Sequence, residues 1–196
     1  MYQENPKLLG RLTKGNENII DANIFTKMPE LFVDDLPSSG DYVAIQGREN
    51  NRRVIKYINS KYISPAKNFD LYKVFITGAN GSGEFGEVLS YPMVAEPKVG
   101  HTQTFMSIGG FATESEAEAC LKYLKTKFAR CLLGTLKVTQ NNNKDVWANV
   151  PLLNFTPLSE IDWSLSIPEL DKLLYKKFNL DEDEQTFIET MVKPME

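Results

Sequence analysis

The segment from Thr113 to Gly134 constrains the fold more than any other. Thr113-Glu114-Ser115-Glu116 has the spacing of a capping box, in which hydroxyl and carboxylate each satisfy a free amide of the first turn. Apolar residues then recur at Ala117, Cys120, Leu121, Leu124, Phe128, Leu132 and Leu133, one stripe of a helix. The pattern predicts a single helix, closed at Gly134 by a left-handed cap. Such a helix must bury its stripe against another layer, and the segments before it read as strands.

Residues 42–47 (YVAIQG) and 52–58 (RRVIKYI) are rich in β-branched and aromatic residues, with Arg48-Glu49-Asn50-Asn51 between them. This predicts a β-hairpin with a four-residue loop. Residues 71–77 (LYKVFIT), the run EVLSYPMV and residues 103–109 (QTFMSIG) add strand signals. Residues 1–40 have weak periodicity and predict irregular structure with one short strand. Residues 140–144 are a polar break, and 147–163 predict an extended segment laid over the body. Ser166 with Glu169, and Asp181 with Glu184, cap two final helices. Their apolar faces include Leu170, Leu173, Leu174, Phe187, Ile188 and Met191. The expected class is α+β: a mixed or antiparallel sheet, a packed central helix and a C-terminal helical tail. The expected division is a body of residues 1–150 and an acidic tail of residues 151–196 packed on it.

The net charge of −4 speaks against a nucleic-acid partner until its distribution is considered. Residues 1–150 carry 18 Lys+Arg against 16 Asp+Glu, and residues 151–196 carry 4 against 10. The body is slightly basic and the acidity sits in the tail. No run of about 18 apolar residues exists to span a membrane, and the first residues lack the apolar core of a signal peptide. The expected location is the cytoplasm. Cys120 and Cys131, on one expected helix, would lie roughly 16 Å apart, too far to pair.

Short motifs decide less. Gly81, Gly83 and Gly86 spell G-x-G-x-x-G, but a β-branched, proline-broken run follows where a dinucleotide site needs a helix. The bare amides of this loop, with Asn80 and Ser82, suit a strand connection or the approach to a phosphate. Asp70 with Glu96-Pro97-Lys98 imitates a metal-dependent nuclease on neighbouring strands, carboxylates for Mg²⁺ and lysine for water. Pro97 disfavours it, since proline removes a ladder hydrogen bond. His101, the single histidine, sits in a Gly-His-Thr context that predicts a turn or surface position. Without further histidines or clustered cysteines, a His-rich metal site is excluded. The hairpin is the most informative constellation. Arg48, Asn50, Asn51, Arg52, Arg53, Lys56, Tyr57, Lys61 and Tyr62 fall within fifteen residues, opposed only by Glu49. A two-stranded ribbon fits the major groove, and Arg and Asn read guanine and adenine edges. Equally, the charges could keep an edge hairpin from aggregating.

Lys73-Val74-Phe75-Ile76, Ala79-Asn80-Gly81-Ser82-Gly83 and Gly86-Glu87-Val88-Leu89-Ser90 carry a resemblance, continued by Thr102 to Gly109 and Lys125 to Arg130. Val150-Pro151-Leu152 and Asp162-Trp163-Ser164 extend it. Together they resemble the C-terminal target-recognition (TaqI-like specificity) region of bacterial type II restriction–modification enzymes with an N6-adenine DNA methyltransferase. The resemblance covers residues 70–193 well and residues 1–69 poorly. In that family the methyltransferase carries an Asn/Asp-Pro-Pro-aromatic signature, and no Pro-Pro dipeptide occurs in this chain.

The resemblance implies sequence-specific binding of double-stranded DNA, beside an adenine-methyltransferase/endonuclease domain in cis or in trans. S-adenosylmethionine and Mg²⁺ are expected only in that catalytic partner. This chain is assigned no cofactor, metal or catalytic residue. The DNA-contacting candidates are Arg48, Asn50, Asn51, Arg52, Arg53 and Lys56 of the ribbon, Asn80 and Ser82 of the glycine loop, and Lys98, His101 and Gln103. The competing readings are a Mg²⁺-dependent nuclease using Asp70, Glu96 and Lys98, and a protein-interaction domain docking through the acidic tail.

Overall fold

The computed structural model describes residues 4–8, 10–11, 19–79, 84–90, 92–136, 144–148 and 150–195. Chain order begins with the short helix α1 (Ile24–Lys27), then β1 (Phe32–Val33), β2 (Tyr42–Glu49) and β3 (Arg52–Asn59). β4 (Tyr72–Thr77), β5 (Met93–Ala95), β6 (Val99–His101) and β7 (Phe105–Phe111) follow. Helices α2 (Glu114–Lys125), α3 (Lys127–Leu136), α4 (Lys144–Trp147), α5 (Ile167–Lys177) and α6 (Glu182–Met191) complete it. The fold is α+β with C-terminal helices. Among the described residues no helix is long and apolar enough to cross a membrane.

The strands form two sheets. One has the order β1-β3-β2-β6, antiparallel except for the parallel β2–β6 pair; the other has the order β5-β4-β7, all antiparallel. The two faces of β4 divide the molecule. Val74 and Ile76 are buried in a core with α2, α3, α5 and α6, while the Phe75 ring meets His101 of the first sheet edge-on at 4.8 Å. Phe155, Ile161, Leu170, Leu174, Ile188 and Val192 share the helical core. A smaller core joins Ile24, Phe25, Met28, Leu31 and Phe32 to Val43, Ile45 and Ile58.

Several expectations need correction. The hairpin loop has two residues, not four: Glu49 pairs with Arg52, and Asn50 and Asn51 take φ of 49° and 62°. Two left-handed residues form a type I′ turn, whose twist matches the flanking strands and for which asparagine is suited. Among the described residues of the EVLSYPMV run, Met93 and Val94 are strand and the others are not. The central helix is two helices. Thr126 turns to ψ 148° and caps α3, its Oγ1 accepting from the Ala129 amide at 3.2 Å. Cys120 and Cys131 therefore lie on different helices, both buried and free. Gly134 sits inside α3, where a Cβ would come within 2.9 Å of the Phe85 ring. Its role is close approach rather than termination.

Local caps form largely as their spacing predicts. Asp181 and Glu184 complete a capping box at α6, and Glu169 accepts from the Ser166 amide at 2.9 Å to open α5. At α2, Thr113 Oγ1 accepts from Glu116, but Glu116 reaches the Ala112 amide instead of that of Thr113. In the tail, Leu173, Phe187 and Met191 stay 38%, 49% and 48% exposed, so the apolar face of the last helices is only partly covered.

Candidate functional site

The β2–β3 ribbon owes its form to eight consecutive pairs from Tyr42–Asn59 to Glu49–Arg52. At its tip Arg48, Asn50, Asn51 and Arg52 are exposed, and Arg48 Nη2 donates to the Asn51 carbonyl at 3.1 Å. The remaining ribbon candidates are engaged inside the protein. Arg53 donates to the Ser90 carbonyl at 2.9 Å, and its guanidinium lies 5.2 Å from the centre of the Phe105 ring. That arrangement ties the ribbon to the second sheet. Lys56 lies 3.1 Å from both Glu49 and Asp34, beside the Phe25 ring. Burial acts to lower its pKa, but the two carboxylates prevail and hold it above its ordinary value. Arg53 and Lys56 are therefore positioning residues first.

The other candidates are dispersed. Gln103 is exposed just after β6, and its backbone N–H donates to the Ile20 carbonyl at 2.7 Å. Lys98 is exposed, in a turn with φ 63°. Val99 pairs with Ala44, so Lys98 lies toward the far end of the ribbon, roughly 16 Å of strand from the tip at about 3.3 Å per residue. Asn80 and Ser82, with Gly81 and Gly83, lie outside the described residues. Asp70 and Glu96 are exposed in turns at one end of β4 and β5, not on strands. Among the described residues no three His, Cys, Asp or Glu side chains gather as a metal site would require.

His101 is neither in a turn nor on the open surface. It belongs to β6 and lines a cleft of about 500 Å³ between that strand, the start of β7 and the 62–69 segment. Its Nδ1 lies 2.9 Å from the Thr102 carbonyl. A carbonyl can only accept, so Nδ1 carries the hydrogen and Nε2 keeps a lone pair. Burial, chiefly, and the nearby Lys73 cation lower its pKa despite that bond. Lys73 is 2% exposed and donates from Nζ to the carbonyls of Phe69, Leu71 and Glu96 at 3.2, 3.0 and 2.9 Å. All three ammonium donors are used, while burial pushes its pKa down to about 8. Asn68 Nδ2 donates to Gly109 at 2.7 Å and to Ser107 at 3.2 Å, which orients its Oδ1 the other way.

Lys73, Asn68 and Phe69 escape a reading of sequence. The one available signal is a lysine set among apolar residues in a short strand, which marks a buried cation. Comparison with protein-family models, with curated proteins and with solved structures finds no match.

Proposed function

We propose that this chain is a sequence-specific duplex-DNA recognition module of a restriction–modification adenine methyltransferase/endonuclease. It would position DNA for a separate catalytic domain, in cis or in trans, to which S-adenosylmethionine and Mg²⁺ belong. The observation that carries the reading is the ribbon tip, where Arg48, Asn50, Asn51 and Arg52 are exposed together on a type I′ turn. A ribbon of this width enters a major groove of about 12 Å, and these side chain types pair with purine edges. The acidic α5 and α6 pack on α2 and α3, and α2 in turn covers the second sheet, so the acidic helices form a layer apart from the ribbon's sheet. Arg53 and Lys56 stiffen the ribbon, which lowers the entropy lost on docking.

Selection from a random duplex pool, followed by anisotropy titration at several salt concentrations, tests the reading. A discrete motif should emerge, with affinity falling steeply as salt rises. The double variant Arg48→Ala, Arg52→Ala should weaken binding and flatten the salt slope by about two counterions if both touch phosphate. Absence of duplex binding at low salt would reject the proposal.

A further inference from the structure

The cleft beside β6 is separate from the exposed tip, and DNA reading by the ribbon does not use it. Its lining includes the aromatic side chains of Tyr62, Phe69 and Phe105. His101 and Asn68 also line it, and His101 Nε2 and Asn68 Oδ1 have no protein partner among the described residues. A ligand that displaces water from an acceptor must replace the bond that is lost, so a fitting ligand brings N–H groups. Among the described residues no Asp or Glu lines the cleft, and Lys73 holds a positive charge in its wall. A cationic ligand would therefore be repelled, and the donors must sit on a neutral molecule. An aromatic lining favours a flat ring, and about 500 Å³ lies in the usual range for small-ligand sites.

We propose that this cleft binds an amino-bearing nucleobase (adenine, cytosine or guanine), its N–H groups on His101 Nε2 and Asn68 Oδ1 and its ring against Phe69. Stacking on aromatic side chains tolerates different bases, and hydrogen bonds to the ring edge discriminate among them. Two sources present this chemistry: a free nucleoside, or a base extruded from a duplex. The second rests on the DNA-recognition reading. Phe105 connects the two regions, since it lines the cleft and also carries the Arg53 guanidinium of the ribbon.

Calorimetric titration of the full chain with adenosine and with thymidine is the first test. Adenosine should bind saturably and about tenfold more tightly than thymidine, which has one ring N–H and no amino group. His101→Phe, which keeps a ring against Phe75 but removes the acceptor, should reduce adenosine affinity about tenfold in a chain that still melts cooperatively. No adenosine binding, or equal binding of the two nucleosides, overturns the proposal without reference to any variant. A duplex carrying 2-aminopurine distinguishes the sources. A rise in its emission on adding protein, reversed by free adenosine, assigns the site to an extruded base. Selective adenosine binding with no change in emission assigns it to a free nucleoside. Duplex binding without adenosine binding overturns this proposal and leaves the recognition reading standing. Adenosine binding without duplex binding does the reverse.

Discussion

Asp171 of α5 caps α3: its Oδ1 accepts from the Phe128 amide at 2.9 Å, and its Oδ2 from the Lys127 amide at 3.1 Å. The carboxylate is buried, which raises its pKa, and the two amides pull the other way. Asp171→Ala removes both acceptors from a sheltered helix end. The expected loss is about 2–3 kcal/mol, from a missing cap and unsatisfied amides. Asp171→Asn retains an acceptor and should lose less. Urea unfolding measures both, and a loss under about 0.5 kcal/mol for the alanine variant would refute the role.

Neighbouring arginines of the ribbon should behave differently. Arg52 is exposed, and Arg52→Ala should change stability by no more than about 0.5 kcal/mol. Arg53 bonds to Ser90 and covers Phe105, so Arg53→Ala should cost about 1–2 kcal/mol. Equal melting temperatures for the two variants would contradict this assignment.

Asn51 has φ 62° at the tip, a conformation that glycine adopts freely and β-branched residues resist. Asn51→Gly should leave stability within about 0.5 kcal/mol, whereas Asn51→Val should cost about 1–2 kcal/mol. If Asn51 also reads a base, the glycine variant will fold normally and lose preference at one position of the selected motif.

The pH dependence of stability should show a signature of His101, the chain's single histidine. Its folded pKa lies below the ordinary 6.5, so below that pH the unfolded chain takes up a proton that the folded chain refuses. The stabilising contribution is complete above pH 6.5 and is lost as pH falls toward the folded value. The slope reaches at most about 1.4 kcal/mol per pH unit, and His101→Phe should abolish it. A wild-type profile parallel to that of the variant between pH 5 and 6.5 would disprove the linkage.

Gly86 ties the 84–90 segment to the end of α6. It has φ +73°, its carbonyl accepts from the Lys193 amide at 2.9 Å, and a Cβ there would lie 2.2 Å from the Met191 carbonyl oxygen. Gly86→Ala combines backbone strain with a backbone clash and should cost about 2–4 kcal/mol. Amide exchange in α6 should accelerate more than exchange in β2 and β3. Uniform exchange across the protein would show that the contact does not govern the docking of α6.

The elements legible in the sequence are those specified by neighbours in the chain. The α6 box needs only Asp181 and Glu184, and the hairpin follows from β-branched runs around Asn50 and Asn51. Thr126 was legible in principle, as a hydroxyl three residues before Ala129, but the continuing apolar stripe concealed the break. Exposure within the ribbon was not legible. Composition treats Arg52 and Arg53 alike, and only the second sheet distinguishes them by supplying Ser90, Met93 and Phe105 to one of the two.

The sequence alone determined the α+β class, the N-terminal caps at Thr113, Ser166 and Asp181, the basic ribbon and the acidic tail, because such caps, alternation and charge are local properties. Tertiary structure decided which charges are free, where the central helix breaks and what lines the cleft. Asp171 reaches α3 from more than forty residues away, and Asn68, Lys73 and His101 meet from three separate segments. Such contacts depend on how two sheets and a helical layer close on one another, and no local pattern of residues encodes that closure.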